Sequence, residues 1–170
     1  MNILYLDTFS GISGDMMLGL LLDLGVALED LEHDLAALPV SGYHLTARAE
    51  KRHGIGGTRV EVHCEGQQPA RTWSEIDRML AQSSLPGAVR ELARKIFRIL
   101  GNAEASVHQI SLEQVHFHEV GAVDAIVDIV GSAAGLTRLG LDRIVCSPLP
   151  LSSGLIGASH GVVPLPAPAT

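Results

Sequence analysis

The apolar run Ile3-Leu4-Tyr5-Leu6 has no polar break, so residues 2–7 read as a short first strand of the kind a parallel sheet buries on both faces. The glycine- and serine-rich loop Thr8–Asp15 follows, then a helix from Met16 to Leu24 with Gly25 as its stop. Residues 28–37 form a second, short helix ended by Pro39. The period then drops to two. Tyr43, Leu45, Ala47 and Ala49 alternate with His44, Thr46, Arg48 and Glu50, and over 58–64 Val60, Val62 and Cys64 alternate with Arg59, Glu61 and His63. This alternation predicts a hairpin with one buried face, joined through a flexible connection at Lys51–Gly57.

Helical spacing returns at Thr72, where Thr72-Trp73-Ser74-Glu75 has the form of a capping box for a helix to about Gln82. Pro86 opens a long helix to about Ser106, with Val89, Leu92, Ala93, Ile96, Leu100 and Ala103 facing inward. His108 at its exit can complement the helix dipole. Over His116-Phe117-His118 two imidazoles at i, i+2 point the same way only on extended backbone. Glu119 then opens a helix that ends near Leu139-Gly140, and residues 143–147 read as another buried strand, parallel to the first. Ser147–Pro164 is loop around at most one or two short strands. Residues 1–170 are within the usual size of one domain, and Thr170 stands where it would cap a helix beyond the last residue, so a truncated chain is expected. The expected class is α/β: a small mixed or parallel sheet covered by helices, with a β-hairpin.

Composition narrows the function. Hydrophobic residues make up 46% of the 170 and charged ones 18%, enough for an aliphatic core. A net charge of -7 argues against a general binder of nucleic acid or anionic membrane. Cys64 and Cys146 form no C-x-x-C pair, which removes a disulfide framework and a zinc ribbon. The amino terminus lacks the basic start of a signal peptide, and no apolar run reaches the roughly 18 residues of a membrane span. A soluble, cytoplasmic protein is expected.

Candidate chemistry gathers in two stretches. In the first, His116, His118 and Glu119 precede Asp124 and Asp128, which are four apart and share a helical face with Gly121, Gly131 and Gly135. Glycines beside carboxylates point to something approaching closely, either a ligand or a second backbone. Mixed imidazole and carboxylate donors suit a borderline divalent metal such as Zn, Ni, Fe or Mn. Histidines bonded to backbone and solvated aspartates would satisfy the same pattern. In the second stretch, Asp7, Ser10, Gly11, Ser13, Gly14 and Asp15 lie after a strand, where open α/β sheets bind ligands. The loop has no Walker lysine, and Asp15 replaces the last glycine of a nucleophile elbow. What remains is a nest able to hold an anion, flanked by two carboxylates able to hold a cation. A plain N-cap at Ser13 or Asp15 needs no ligand at all. His160, between Ser159 and Gly161, is a further ligand or proton carrier.

Three segments resemble one family. Leu6–Met16, His116–Asp124, and Ser159-His160-Gly161 through Thr170 are similar to the amino-terminal region of the nickel-insertion proteins of the lactate racemase cofactor pathway. The resemblance implies a nickel chelatase or cyclometallase of the lyase class. Such a protein inserts Ni²⁺ into pyridinium-3,5-bisthiocarboxylic acid mononucleotide in a CTP-dependent reaction, with Mn²⁺ or Mg²⁺ expected. It also implies a carboxyl-terminal domain beyond this chain, and a homo-oligomer is expected. Carried onto this sequence, it gives His116, His118, Glu119 and Asp124 to the metal. Asp7, Asp15 and His160 become the catalytic candidates, and Ser10, Gly11, Ser13 and Gly14 the nucleotide contacts. Two rivals stand beside it: a phosphohydrolase holding Mg²⁺ on Asp7 and Asp15, and a non-catalytic assembly module using the glycine-lined face.

Overall fold

A computed structural model describes residues 1–66, 69–117, 121–151, 153–158 and 161–166. In chain order its elements are β1 (Ile3–Leu6), α1 (Gly14–Asp23), α2 (Leu28–Leu35), β2 (Tyr43–Arg52), β3 (Ile55–Cys64) and β4 (Arg71–Thr72). They continue with α3 (Trp73–Gln82), α4 (Gly87–His108), a 3-10 turn at Leu112–Gln114, β5 (His116–Phe117), α5 (Val123–Arg138), β6 (Arg143–Cys146), β7 (Gly154–Ala158) and β8 (Gly161–Leu165). The mixed α/β class holds. Its strands, however, form four separate pairs: β1 with β6 in parallel, and β2–β3, β4–β5 and β7–β8 antiparallel.

Helix α5 is the centre of the core. Val123, Ile126, Val127, Val130, Ala133 and Ala134 are all buried, against Leu18 and Leu21 of α1, Leu31 and Leu35 of α2, and Phe97 of α4. The glycine-lined face is filled from within the chain: a Cβ at Gly131 would lie 2.9 Å from Leu18 Cδ2, and one at Gly135 2.6 Å from Leu21 Cδ1. Of the two expected occupants, a ligand or a second backbone, it is the second that fills the face, as helix α1 of the same chain. The far end of α5 is tied to α2 by Arg138, which donates to both carboxylate oxygens of the buried Asp34 at 2.8 and 3.0 Å. Helix α1 also lies on the hairpin, where Asp23 accepts from the backbone N–H and hydroxyl of Thr58 at 3.1 and 2.6 Å.

Several expected details change. The hairpin connection is a two-residue turn, not a flexible loop, because His53 (φ 50) and Gly54 (φ 87) both take the left-handed conformation that matches strand twist. Helix α5 starts at Val123, not at Glu119: Ala122 is its N-cap, with extended backbone (φ -70, ψ 160). Strands β1 and β6 are not buried on both faces, since Ile3, Tyr5 and Ile144 are exposed. The inward line of α4 is Val89, Ala93, Phe97, Gly101 and Ala105, whereas Leu92, Ile96, Leu100 and Ala103 are only partly buried. The capping box at Thr72 is present as expected, with Thr72 Oγ1 accepting from the Glu75 N–H and Glu75 accepting from the Thr72 N–H. Among the described residues, no helix is long and apolar enough to cross a membrane.

Candidate functional site

The loop that follows β1 is fixed at its start. Thr8 is buried, its N–H donates to Ser147 Oγ at 2.8 Å, and its hydroxyl lies 3.1 Å from the same oxygen. Gly11 closes a turn by donating to the Thr8 carbonyl at 2.9 Å, and its φ of 86 is a conformation that glycine takes without strain. Asp7 and Ser10 stand exposed on either side of Thr8. Ser13 is the N-cap of α1 by its extended backbone, but its hydroxyl donates to Asp15 Oδ1 and makes no side-chain cap. The first turn of α1 thus keeps N–H groups that no side chain caps.

The first turn of α1 meets the start of α5. A Cβ at Gly14 would fall inside the Asp128 carboxylate, so glycine at this position leaves the room that Asp128 fills. Asp15 belongs to the first turn of α1 and Asp124 to the first turn of α5, where helix dipoles favour negative charge. Asp128 sits one turn further in, without that help. Its Oδ1 is buried and has no hydrogen-bond partner. Burial, then the nearby Asp15 and Asp124 carboxylates, push its carboxyl up to about 6. Cys64, exposed at the end of β3, reaches the same place. Local desolvation and then Asp124 push its thiol up, the backbone N–H of Asp124 bonds to it and pulls the other way, and Asp128 adds a smaller upward push.

His116 lies on extended backbone, as the spacing predicts, in the short strand β5 paired with β4. Phe117 points into the core and His116 to solvent, beside Thr72 and Glu75. The Glu75 carboxyl is held below its usual range by the backbone and hydroxyl of Thr72, with smaller contributions from His116 and Arg71. His116 and His108 share a shallow cleft of about 210 Å³ with Ile110, Gln114 and Val115. Gly121 locks the entry to α5: a Cβ there would lie 2.7 Å from both the Arg71 nitrogen and the Phe117 oxygen.

Of the residues marked in the sequence, Asp15 and Asp124 are thus brought to Asp128, while His116 is placed beside Glu75 on β5. His118, Glu119 and His160 lie outside the described residues. Among the described residues, no group of three or more His, Cys, Asp or Glu side chains is arranged to hold a metal ion. Two members of the acidic recess were not among the predicted site residues. Asp128 carries a readable signal, a second carboxylate four residues on in a mostly apolar helix. Cys64 carries none, since only the fold brings the end of the hairpin to α5.

The model of the family described as nickel insertion protein matches residues 4–170. A Syntrophotalea carbinolica protein named for nickel insertion is 56% identical over 170 residues, which is all of this chain and 43% of that protein. A similarly named Thermomicrobium roseum protein is 54% identical over all of this chain and 42% of its own length. The pyridinium-3,5-bisthiocarboxylic acid mononucleotide nickel insertion protein of Desulfitobacterium hafniense is 47% identical, again over the whole chain and 42% of its own length. No solved structure matches. The chain therefore spans well under half the length of these curated relatives, and it belongs to the nickel insertion protein family.

Proposed function

From that membership, we propose that this chain is the metal-receiving part of a protein that inserts Ni²⁺, as a substrate, into pyridinium-3,5-bisthiocarboxylic acid mononucleotide. On this reading the longer protein is a cyclometallase of the lyase class, uses CTP with Mn²⁺ or Mg²⁺, and matures the cofactor of lactate racemase in the cytoplasm. The observation that carries the placement of the ion is the Asp128 carboxylate. It is partly buried, one oxygen lacks any partner, and two further carboxylates and a thiol stand around it. An excess of acidic groups in one recess is relieved by a divalent cation. Imidazole and carboxylate donors together suit nickel.

The division of labour follows from position. Asp124 offers oxygen to the ion, and His116, which the structure sets on β5 beside Glu75, brings its neutral imidazole nitrogen to it only once metal and mononucleotide are bound. His118 and Glu119, between these two in sequence, complete the set. The uncapped first turn of α1, with Ser10, Gly11, Ser13 and Gly14, receives the phosphate of the mononucleotide. A cyclometallation exchanges a ring proton for the metal and therefore needs a base, a role for Asp7, Asp15 or His160, with Asp128 as a fourth candidate.

The test is calorimetry with Ni²⁺ on the parent, on His116→Ala/His118→Ala, and on Asp128→Asn. Each variant is expected to bind at least about tenfold more weakly, a loss of about 1.4 kcal/mol or more. Equal affinity in all three ends the proposal.

A further inference from the structure

Among the described residues the β1–β6 pair is parallel and only two strands wide, with an open backbone edge on either side. Parallel strands occur almost solely where both faces of the sheet are covered. Yet Tyr5 is 60% exposed, Ile3 47% and Ile144 46%. Further exposed apolar side chains follow in the chain leaving β1: Phe9, 81% exposed, then Ile12 and Met16 at the start of α1. Asp15 lies between those last two residues and beside Asp128. Exposed apolar side chains therefore lie both on an unfinished sheet and on the segment that carries Asp15 to the acidic recess.

We propose that polypeptide from the part of the longer protein that this chain does not match adds a strand to an open edge of the β1–β6 pair. The same polypeptide covers Phe9, Ile12 and Met16. The recess around Asp128 is then walled only in the longer protein.

Three observations favour this occupant. The relatives carry more residues outside the matched stretch than within it, since the match covers 42–43% of their length. A tethered segment meets the surface at an effective concentration of order millimolar, ahead of any second copy. An open edge with alternate apolar side chains is what strand addition recognises, and a net charge of -7 disfavours an anionic bilayer as the cover. The inference rests on the family match, not on which metal is bound.

The experiment grafts this chain in place of the matched stretch of the Syntrophotalea carbinolica protein and compares hydrogen exchange with that of the 170-residue chain. The amides of Ile3–Leu6 and Arg143–Cys146 are expected to exchange at least about tenfold more slowly in the longer protein. Tyr5→Lys/Ile144→Lys is expected to leave the melting temperature of the short chain within about 2 °C and to lower that of the graft by about 5 °C or more. Equal exchange in the two lengths overturns the proposal. A short chain that is dimeric by light scattering and becomes monomeric with the double substitution also overturns it, because a second copy then holds these strands. Should the graft not fold, the unaltered relative and its own matched stretch give the same comparison with the same two outcomes. Nickel affinity measured on the same samples bears on the metal reading alone.

Discussion

Asp128→Asn is expected to stabilise this protein at neutral pH. The carboxyl is pushed up to about 6 from an ordinary value of 3.8. A carboxyl whose folded pKa is raised holds its proton more tightly folded than unfolded, so it costs nothing below about pH 4 and progressively more as pH rises to about 6. Taken in full, a shift of about two units corresponds to about 3 kcal/mol. Part of the side chain still reaches solvent, and screening reduces the figure to about 1–2 kcal/mol. For a chain of this size that raises the melting temperature by roughly 2–8 °C above pH 6.5, with no difference at pH 4. Urea or thermal unfolding of parent and variant between pH 4 and pH 8 measures it directly. Saturating Ni²⁺ should stabilise the parent more than the variant, by up to about 2.7 kcal/mol at one hundred times the dissociation constant. A variant less stable than the parent at pH 8, or a difference that does not change with pH, refutes the argument that Asp128 is an uncompensated acid.

The Cys64 thiol should react with a disulfide reagent about two- to threefold faster at pH 8 in Asp128→Asn, because removing a neighbouring negative charge lets the thiolate form more readily. An unchanged rate would place Cys64 away from the recess. Arg138→Ala should lose about 3 kcal/mol in urea unfolding by leaving Asp34 buried and unpaired, and adding Asp34→Asn should restore much of it. Gly121→Ala should cost about 2–3 kcal/mol, because its methyl would meet backbone atoms of Arg71 and Phe117 rather than a movable side chain. Thr72→Ala should cost about 1 kcal/mol of stability through loss of the cap on α3.

What the sequence reveals and what it hides follow one physical line. Thr72 with Glu75, and the alternation through Tyr43–Cys64, are local signals, and the structure has the cap and the hairpin where those signals lie. The start of α5 is not local: Gly121 must fit against Arg71, fifty positions back, and Ala122, with extended backbone, is the N-cap from which the helix begins. The inward line of α4 passes through Gly101 because Leu112, from the turn beyond the helix, needs that room; a Cβ there would lie 2.7 Å from Leu112 Cδ1. An apolar run such as Ile3–Leu6 states that a strand wants cover without saying what supplies it. The candidate site divides in the same way. Loop composition marks Asp15 and helical spacing marks Asp124 and Asp128, but that Gly14 makes room for Asp128 is legible only once α1 lies across α5.

The clasp between β1 and β6 also sets an order of events. The Asn2 N–H donates to Asp142 at 2.6 Å across 140 positions, and Thr8 is anchored to Ser147 across 139. Contacts of such long separation close last, after the helices between them have formed. The serine and glycine loop therefore gains the anchor at its start only once residue 147 has been made, and a shorter length of chain leaves Thr8 without that partner. Maturation of the pocket waits on completion of nearly the whole of the polypeptide described.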